Sequence, residues 1–303
     1  MKRTVAWKNR FILFGMMVMV LLFISGCSGD DLTPKGGGSA WSAFNTSSLP
    51  LTVDGPEASF GSFAFDADGN LLFVGGYAGE IASLNRTSGA VTTVATGLPD
   101  LLGITFYQGS IYVGANNGDI YKVDPTTGLS TLLTNVGSTA NGLVIAPAGY
   151  GSYGGQLIVA AYSGNIYAID QTAASPSPVL IASTGGEASA LIFGGDGKLY
   201  VADANNYKIV TVTAAGVVTD FVTAGFSEPD GLAINSSGDL LYVADSGDDT
   251  VKSVTIPGGV VSTVTSADFD SGWYPSPIIY DAASNILLLG TGEDELIIDN
   301  YNF

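Results

Sequence analysis

An all-β fold, a six-bladed β-propeller of four-stranded antiparallel sheets, is what this 303-residue sequence predicts. Three observations carry that expectation. One unit recurs six times, a Gly-containing turn falls at the same place in nearly every copy, and helical periodicity is almost absent beyond Trp41. The copies are FAFDADGNLLFVGGYAGEIASLN, ITFYQGSIYVGANNGDIYKVD, LVIAPAGYGSYGGQLIVAAYSGNIYAID, LIFGGDGKLYVADANNYKIVTVT, LAINSSGDLLYVADSGDDTVKSVT and IIYDAASNILLLGTGEDELIIDN. In each, an apolar strand leads through a turn into a second strand, and a polar turn leads into a third. A two-sheet sandwich would not need the same turn six times over.

Backbone chemistry explains the inner hairpins. Asp68-Gly69, Gln108-Gly109, Gly154-Gly155, Asp196-Gly197 and Ser237-Gly238 put glycine where a tight turn needs positive φ. The second strands, from LLFVGG to ILLLGT, end in small residues, as close packing between neighbouring blades requires. VTTVAT, LSTLLT, PVLIAS, VVTDFV and VVSTVT read as outer fourth strands, and the sixth unit has none of its own. Residues 41–54, WSAFNTSSLPLTVD, are expected to supply it, closing the ring and covering an exposed edge. The run Asp66-Ala67-Asp68-Gly69-Asn70 carries calcium-loop residue types, but its glycine comes too early for an EF-hand and it lies between two strands. It reads as a hairpin turn.

The N-terminal residues decide the compartment. Lys2, Arg3, Lys8 and Arg10 precede or open an apolar run from Phe11 to Ile24, the basic n-region and short h-region of a secretory signal. That run is too short for a comfortable membrane span. Ile24-Ser25-Gly26-Cys27 then resembles the lipobox of bacterial lipoproteins, where the cysteine thiol receives the lipid. The resemblance implies a signal peptide over residues 1–26, palmitate on Cys27, membrane attachment and a place in the bacterial cell envelope. Ser28 in place of aspartate implies the outer membrane where the organism has one. Cys27 is the only cysteine, so no internal disulfide exists. Residues 27–40, with Gly36 to Gly38, read as the lipidated flexible tether, leaving 41–303 as the propeller.

Charge narrows the partners. Removing residues 1–26 takes away four basic and no acidic residues, so the formal charge moves from −18 to −22. Lys35, Arg86, Lys122, Lys198, Lys208 and Lys252 are then the only cations, which argues against nucleic acid and anionic lipid surfaces as direct partners. The chain has no histidine, so Ser/His/Asp triads and histidine metal sites are excluded. A monomer is expected.

Pro229-Asp230-Gly231-Leu232-Ala233-Ile234-Asn235, with Gly238 and Leu241-Tyr242-Val243-Ala244-Asp245, resembles an NHL-type repeat. Leu199 to Asn206 continues the likeness in the preceding unit, with Lys208 and Lys252 nearest to the arginine common in such repeats. Asn141-Gly142-Leu143 and Asp230-Gly231-Leu232 are also similar to the metal-holding motifs of the senescence marker protein and gluconolactonase family. This second resemblance implies Asn141 and Asp230 as metal ligands, Ca²⁺ as the candidate cofactor and lactone hydrolysis as an activity. The chain departs from the family pattern at Phe60-Gly61-Ser62, where a glutamate is expected and Glu57 comes early, and at Ser189, where an asparagine stands. Two ligands make a poor cage for a hard cation.

In such propellers the first strands line a central channel, entered at the face that carries the second-to-third-strand turns. Asn141, Asp230, Asp203, Asp245 and Glu293 are the candidate binding residues at that mouth, on a scaffold where polar loops concentrate recognition. No catalytic residue is assigned. Three functions remain open: a non-catalytic propeller binding a protein or carbohydrate ligand at the envelope, a metal-dependent lactonase-like hydrolase or lyase, and a structural subunit of an envelope complex.

Overall fold

The computed structural model describes residues 51–53, 60–75, 79–266, 277–291 and 296–302, with side chains over 62–75, 79–266 and 277–290. The leader, Cys27, the tether, Glu57 and Glu293 lie outside these residues.

After β1 (Leu51–Val53) come five blades of four consecutive antiparallel strands. The first is β2 (Phe60–Phe65), β3 (Leu71–Gly75), β4 (Glu80–Leu84) and β5 (Val91–Ala95), and the second is β6 (Leu101–Tyr107), β7 (Ser110–Ala115), β8 (Asp119–Val123) and β9 (Ser130–Asn135). The third comprises β10 (Ala140–Ile145), β11 (Leu157–Ala161), β12 (Asn165–Ile169) and β13 (Pro178–Ser183). The fourth holds β14 (Ala188–Phe193), β15 (Leu199–Asp203), β16 (Lys208–Val212) and β17 (Val218–Val222). The fifth holds β18 (Pro229–Ile234), β19 (Leu240–Asp245), β20 (Thr250–Thr255) and β21 (Val261–Ser266). β22 (Ile278–Asp281), β23 (Ile286–Thr291) and β24 (Leu296–Asn302) form a further sheet whose outer strand is β1.

The expected propeller of four-stranded antiparallel sheets is therefore present, but its units are not six equivalents. Five are continuous in sequence, and the closing sheet is a composite in which Leu51 pairs with Ile298 and Val53 with Leu296. The outer strand expected within residues 41–54 is Leu51–Val53, and it covers the edge that β24 would otherwise expose. Strands β2, β6, β10, β14, β18 and β22 succeed one another around a central channel of about 360 Å³.

Packing follows from that circle. Each apolar cluster lies between neighbouring sheets, so middle strands bury both faces. β11 and β15 are buried along their whole length, which accounts for the unbroken apolar run of β11 and for that of β15 up to Asp203. Gly114 on β7 shows why second strands end small: a Cβ there would lie 2.6 Å from the Ala140 carbonyl oxygen of the next blade. The hairpins take the expected form, with Gln108 (φ 47) and Gly109 (φ 75) both left-handed as a type I′ turn demands. At the Asp66 turn, Oδ1 accepts the Asp68 and Asn70 amides at 2.9 and 2.8 Å, so the run is a turn as read.

An ion pair crosses the closure. Arg86, on the turn between β4 and β5, pairs with Asp281 on β22, and its guanidinium lies 4.7 Å from the Phe65 ring centroid. The Asp281 side chain is 4% exposed. Arg86→Met is expected to destabilise the fold by about 2 kcal/mol, below the full cost of breaking a buried pair because Arg86 is partly solvated. Urea unfolding checks this, and a change under about 0.5 kcal/mol would count against the pair as a clasp.

Candidate functional site at the channel mouth

The innermost strands are irregular where they enter the mouth. Pairing steps from Ala140 to Gly142 on β10, from Ala188 to Ala190 on β14, and from Pro229 to Gly231 on β18. The residues passed over are Asn141, Ser189 and Asp230. A bulge of this kind bends the strand and re-aims a side chain, and bulges concentrate beside functional sites. On β6 and β2 the same irregularity takes in Leu102-Gly103 and Gly61-Ser62; Ser62 is only partly buried, so the fully buried polar positions belong to three consecutive blades. Gly142, Ala190 and Gly231, the next residues along, line the channel.

The three polar side chains are buried, at 1% exposure for Asn141 and Ser189 and 4% for Asp230. Asn141 Nδ2 donates to the Ala188 carbonyl oxygen at 3.2 Å, across the seam to the fourth blade, while its Oδ1 is buried without a partner. Asp230 accepts a hydrogen bond from the Ser246 hydroxyl. The Ser189 hydroxyl lies between Asp230 and Glu187, 3.4 Å from Glu187 Oε1, and Asn205 Nδ2 donates to Glu187 Oε2 at 3.2 Å.

These carboxyls hold protons tightly. Burial pushes Glu187 up to about 7 and the Glu228 charge adds to it, against the hydrogen bonds from Ser189 and Asn205. Asp230 is raised well above the ordinary aspartate range, chiefly by burial; the Ser246 bond opposes this and the charges of Glu228 and Glu187 reinforce it. Among the described residues, no salt bridge reaches Glu187, Glu228 or Asp230.

Asp203 and Asp245 have a different situation. Both are fully buried at the ends of second strands, and both are engaged within their own blades. Asp203 accepts from Asn206 Nδ2 at 3.0 and 3.1 Å with Lys208 Nζ at 4.0 Å, and Asp245 pairs with Lys252 and accepts the backbone amides of Ser227 and Glu228. Burial raises Asp203, offset in part by Asn206 and Lys208. Burial opposes the Lys252 charge, and hydrogen bonds to Asp245 and Asp248 outweigh it, raising the lysine. Gly186 is shaped by the same packing, since a Cβ there would lie 2.1 Å from Asp203 Oδ1. Asp245 thereby holds the segment that presents Glu228, whereas Asp203 holds the Asn206 turn of its own blade.

Of the residues expected at the mouth, the structure brings Asn141 and Asp230 to equivalent bulges, assigns Asp203 and Asp245 to loop anchoring, and does not describe Glu293. Glu187 and Glu228 were not among them. Their signal is the repeat itself: GEASAL and SEPDGL place each glutamate two residues before the bulge. The backbone agrees, with Ala204 N donating to Glu187 O at 2.9 Å and Ser246 N to Glu228 O at 3.0 Å. Two aromatics stand exposed on the neighbouring turns, Tyr162 at 40% and Tyr207 at 55%. Tyr207 is left-handed (φ 55), unusual for a bulky residue and a form of strain found at recognition sites.

Calcium fits this donor set poorly. No group of three or more carboxylates close enough to hold a metal ion occurs among the described residues, and Asn141 and Asp230 supply too few oxygens by themselves.

No family model matches the sequence, and no curated protein does either. Solved structures match the fold. A gluconolactonase from Xanthomonas campestris is 16% identical with a TM-score of 0.66, covering 90% of this chain and 96% of its own. An auxiliary nutrient binding protein from Bacteroides thetaiotaomicron is 18% identical with a TM-score of 0.65, covering 81% and 70%. A streptogramin B lyase is 16% identical with a TM-score of 0.60, covering 84% and 86%. At these identities the likeness is one of fold.

Proposed function

We propose that this chain is a lipid-anchored lipoprotein of the bacterial cell envelope whose propeller binds a protein or carbohydrate ligand at the channel mouth, without catalysis. The composite sheet serves as the sixth blade. The observation that carries the binding reading is the polar half-ring of Asn141, Ser189 and Asp230 at the head of an apolar channel, beside exposed Tyr162 and Tyr207. A rigid sheet scaffold with aromatic and amide groups on its turns is suited to recognition. The likeness in fold to a nutrient binding protein is compatible with this role. Anchoring rests on the leader and Ile24-Ser25-Gly26-Cys27. Metabolic labelling with palmitate is expected to mark the wild type and leave Cys27→Ala unlabelled. An unlabelled wild type would remove the anchor from the account. Stable attachment needs more than one acyl chain, as bacterial lipoproteins carry.

A second reading has its own support in the fold of a gluconolactonase and in the placement of Asn141 and Asp230 on equivalent bulges. Aldonolactone turnover assayed with calcium, manganese or zinc decides between the two. The binding reading expects background rates throughout; metal-dependent turnover lost in Asp230→Ala would establish the enzyme instead.

A further inference from the structure

We propose that the corner of the mouth formed by Asn141, Glu187 and Asp230 receives an amphipathic organic cation, a primary ammonium head on an aromatic or aliphatic body. This rests on the reading of the mouth as a binding site and supplies the chemistry of what enters.

Hydrogen-bond character selects the head group. Asn141 commits its Nδ2 to Ala188, leaving Oδ1 buried at a residue 1% exposed and able only to accept. Ala188 sits between Glu187 and Ser189, so the carboxamide reaches the corner that Glu187 and Asp230 share. Ser246 and Ser189 turn their hydroxyl hydrogens toward Asp230 and Glu187, which leaves the remaining carboxyl oxygens as acceptors at the corner. Buried acceptors without partners are uncommon, because desolvation is then uncompensated. A positively charged N–H donor completes all three groups. A divalent ion is served less well, since two carboxyls and one amide oxygen fall short of the six or more oxygens a hard cation such as calcium takes.

The channel selects the body. Immediately inside the bulges its walls are Phe63, Ile104, Leu143, Leu191, Leu232 and Ile278, with no charged side chain among its lining residues. An apolar group would leave water there while the ammonium remained at the carboxyls. Because Glu187 titrates at about 7, binding is also expected to tighten between about pH 6 and 8 and to release protons.

Calorimetric titration of the whole protein in non-ionic detergent, with detergent blanks subtracted, tests this using 2-phenylethylamine and its neutral counterpart 2-phenylethanol. At about pH 7.5 the amine is expected to bind at least tenfold more tightly than the alcohol. That preference should fall below threefold in Glu187→Gln and in Asp230→Asn, each shown to be folded by its unfolding curve. Equal binding of the two probes would overturn the ammonium head while leaving a binding site in place. Binding of neither would overturn the proposal, whereas the broader binding reading fails only if saccharides and envelope proteins also fail to bind. Heat from millimolar calcium chloride alone, abolished by Asp230→Asn, would assign the corner to a metal and overturn the proposal as well.

Discussion

Asp245→Asn is expected to lower the free energy of unfolding by about 3 kcal/mol, toward the low end of what breaking a buried ion pair costs. Asp245 is fully buried, pairs with Lys252, and accepts the Ser227 and Glu228 amides at 3.0 and 2.6 Å. An asparagine there removes the charge that Lys252 faces and turns an acceptor-only group into one that is half donor. Lys252 keeps Asp248, whose side chain is 38% exposed, so the lysine is not left wholly unpaired. That residual partner is the reason for the low figure. The Ser227 to Asp230 segment would loosen along with the pair, so ligand affinity should fall although Asp245 touches no ligand. Urea unfolding at about pH 7, with an unchanged m value, checks the loss. A cost under about 1 kcal/mol would mean that Asp245 does not anchor this loop.

Stability is expected to fall as pH rises from about 5 to 8. Burial and the Glu228 charge push Glu187 up to about 7 in the folded state, above the ordinary glutamate range, and Asp230 is raised as well. Between that range and the folded value the folded chain binds more protons than the unfolded one, so the unfolding free energy decreases with pH. The stability is fully present below the unfolded pKa and is lost as pH passes through the folded one. Carboxylates held low by hydrogen bonds, such as Asp119 and Asp239, act in the opposite sense, but at lower pH. For Glu187 the shift corresponds to an upper bound of about 3 kcal/mol, and partial solvation reduces the expected fall to about 1–2 kcal/mol. Glu187→Gln should flatten the slope. A melting temperature that climbs steadily from pH 5 to 8 in the wild type would contradict the buried acidic corner.

The repeat made most of the fold legible. Glycine turns, small residues ending second strands and the missing outer strand each corresponded to a physical requirement, so Gly109, Gly114 and Leu51–Val53 lie where the pattern implies. The site was legible only in part. Asn141 and Asp230 stood out by their Asn-Gly-Leu and Asp-Gly-Leu setting, yet nothing in the letters announces a bulge, which arises from pairing between strands. Asp203 and Asp245 look like mouth carboxylates because they end second strands beside polar turns. Their burial against Lys208 and Lys252 depends on neighbours several residues away on the next strand and turn. Glu187 and Glu228 precede their strands by one residue and read as loop surface until the backbone folds them over the mouth.

The central claim is that the buried carboxyls divide by role, with Asp245 holding the fold and Asp230 kept for a ligand at some expense of stability. The most direct test is the unfolding free energy of Asp230→Asn beside Asp245→Asn at about pH 8, without ligand. Asparagine at 230 keeps an acceptor for Ser246 and removes a charge that burial and two neighbouring glutamates oppose, so it is expected to stabilise by about 1 kcal/mol, as substitutions at functional sites often do. A gain for Asp230→Asn and a loss for Asp245→Asn is the result predicted; a loss of similar size in both would make Asp230 one more structural residue and contradict the site.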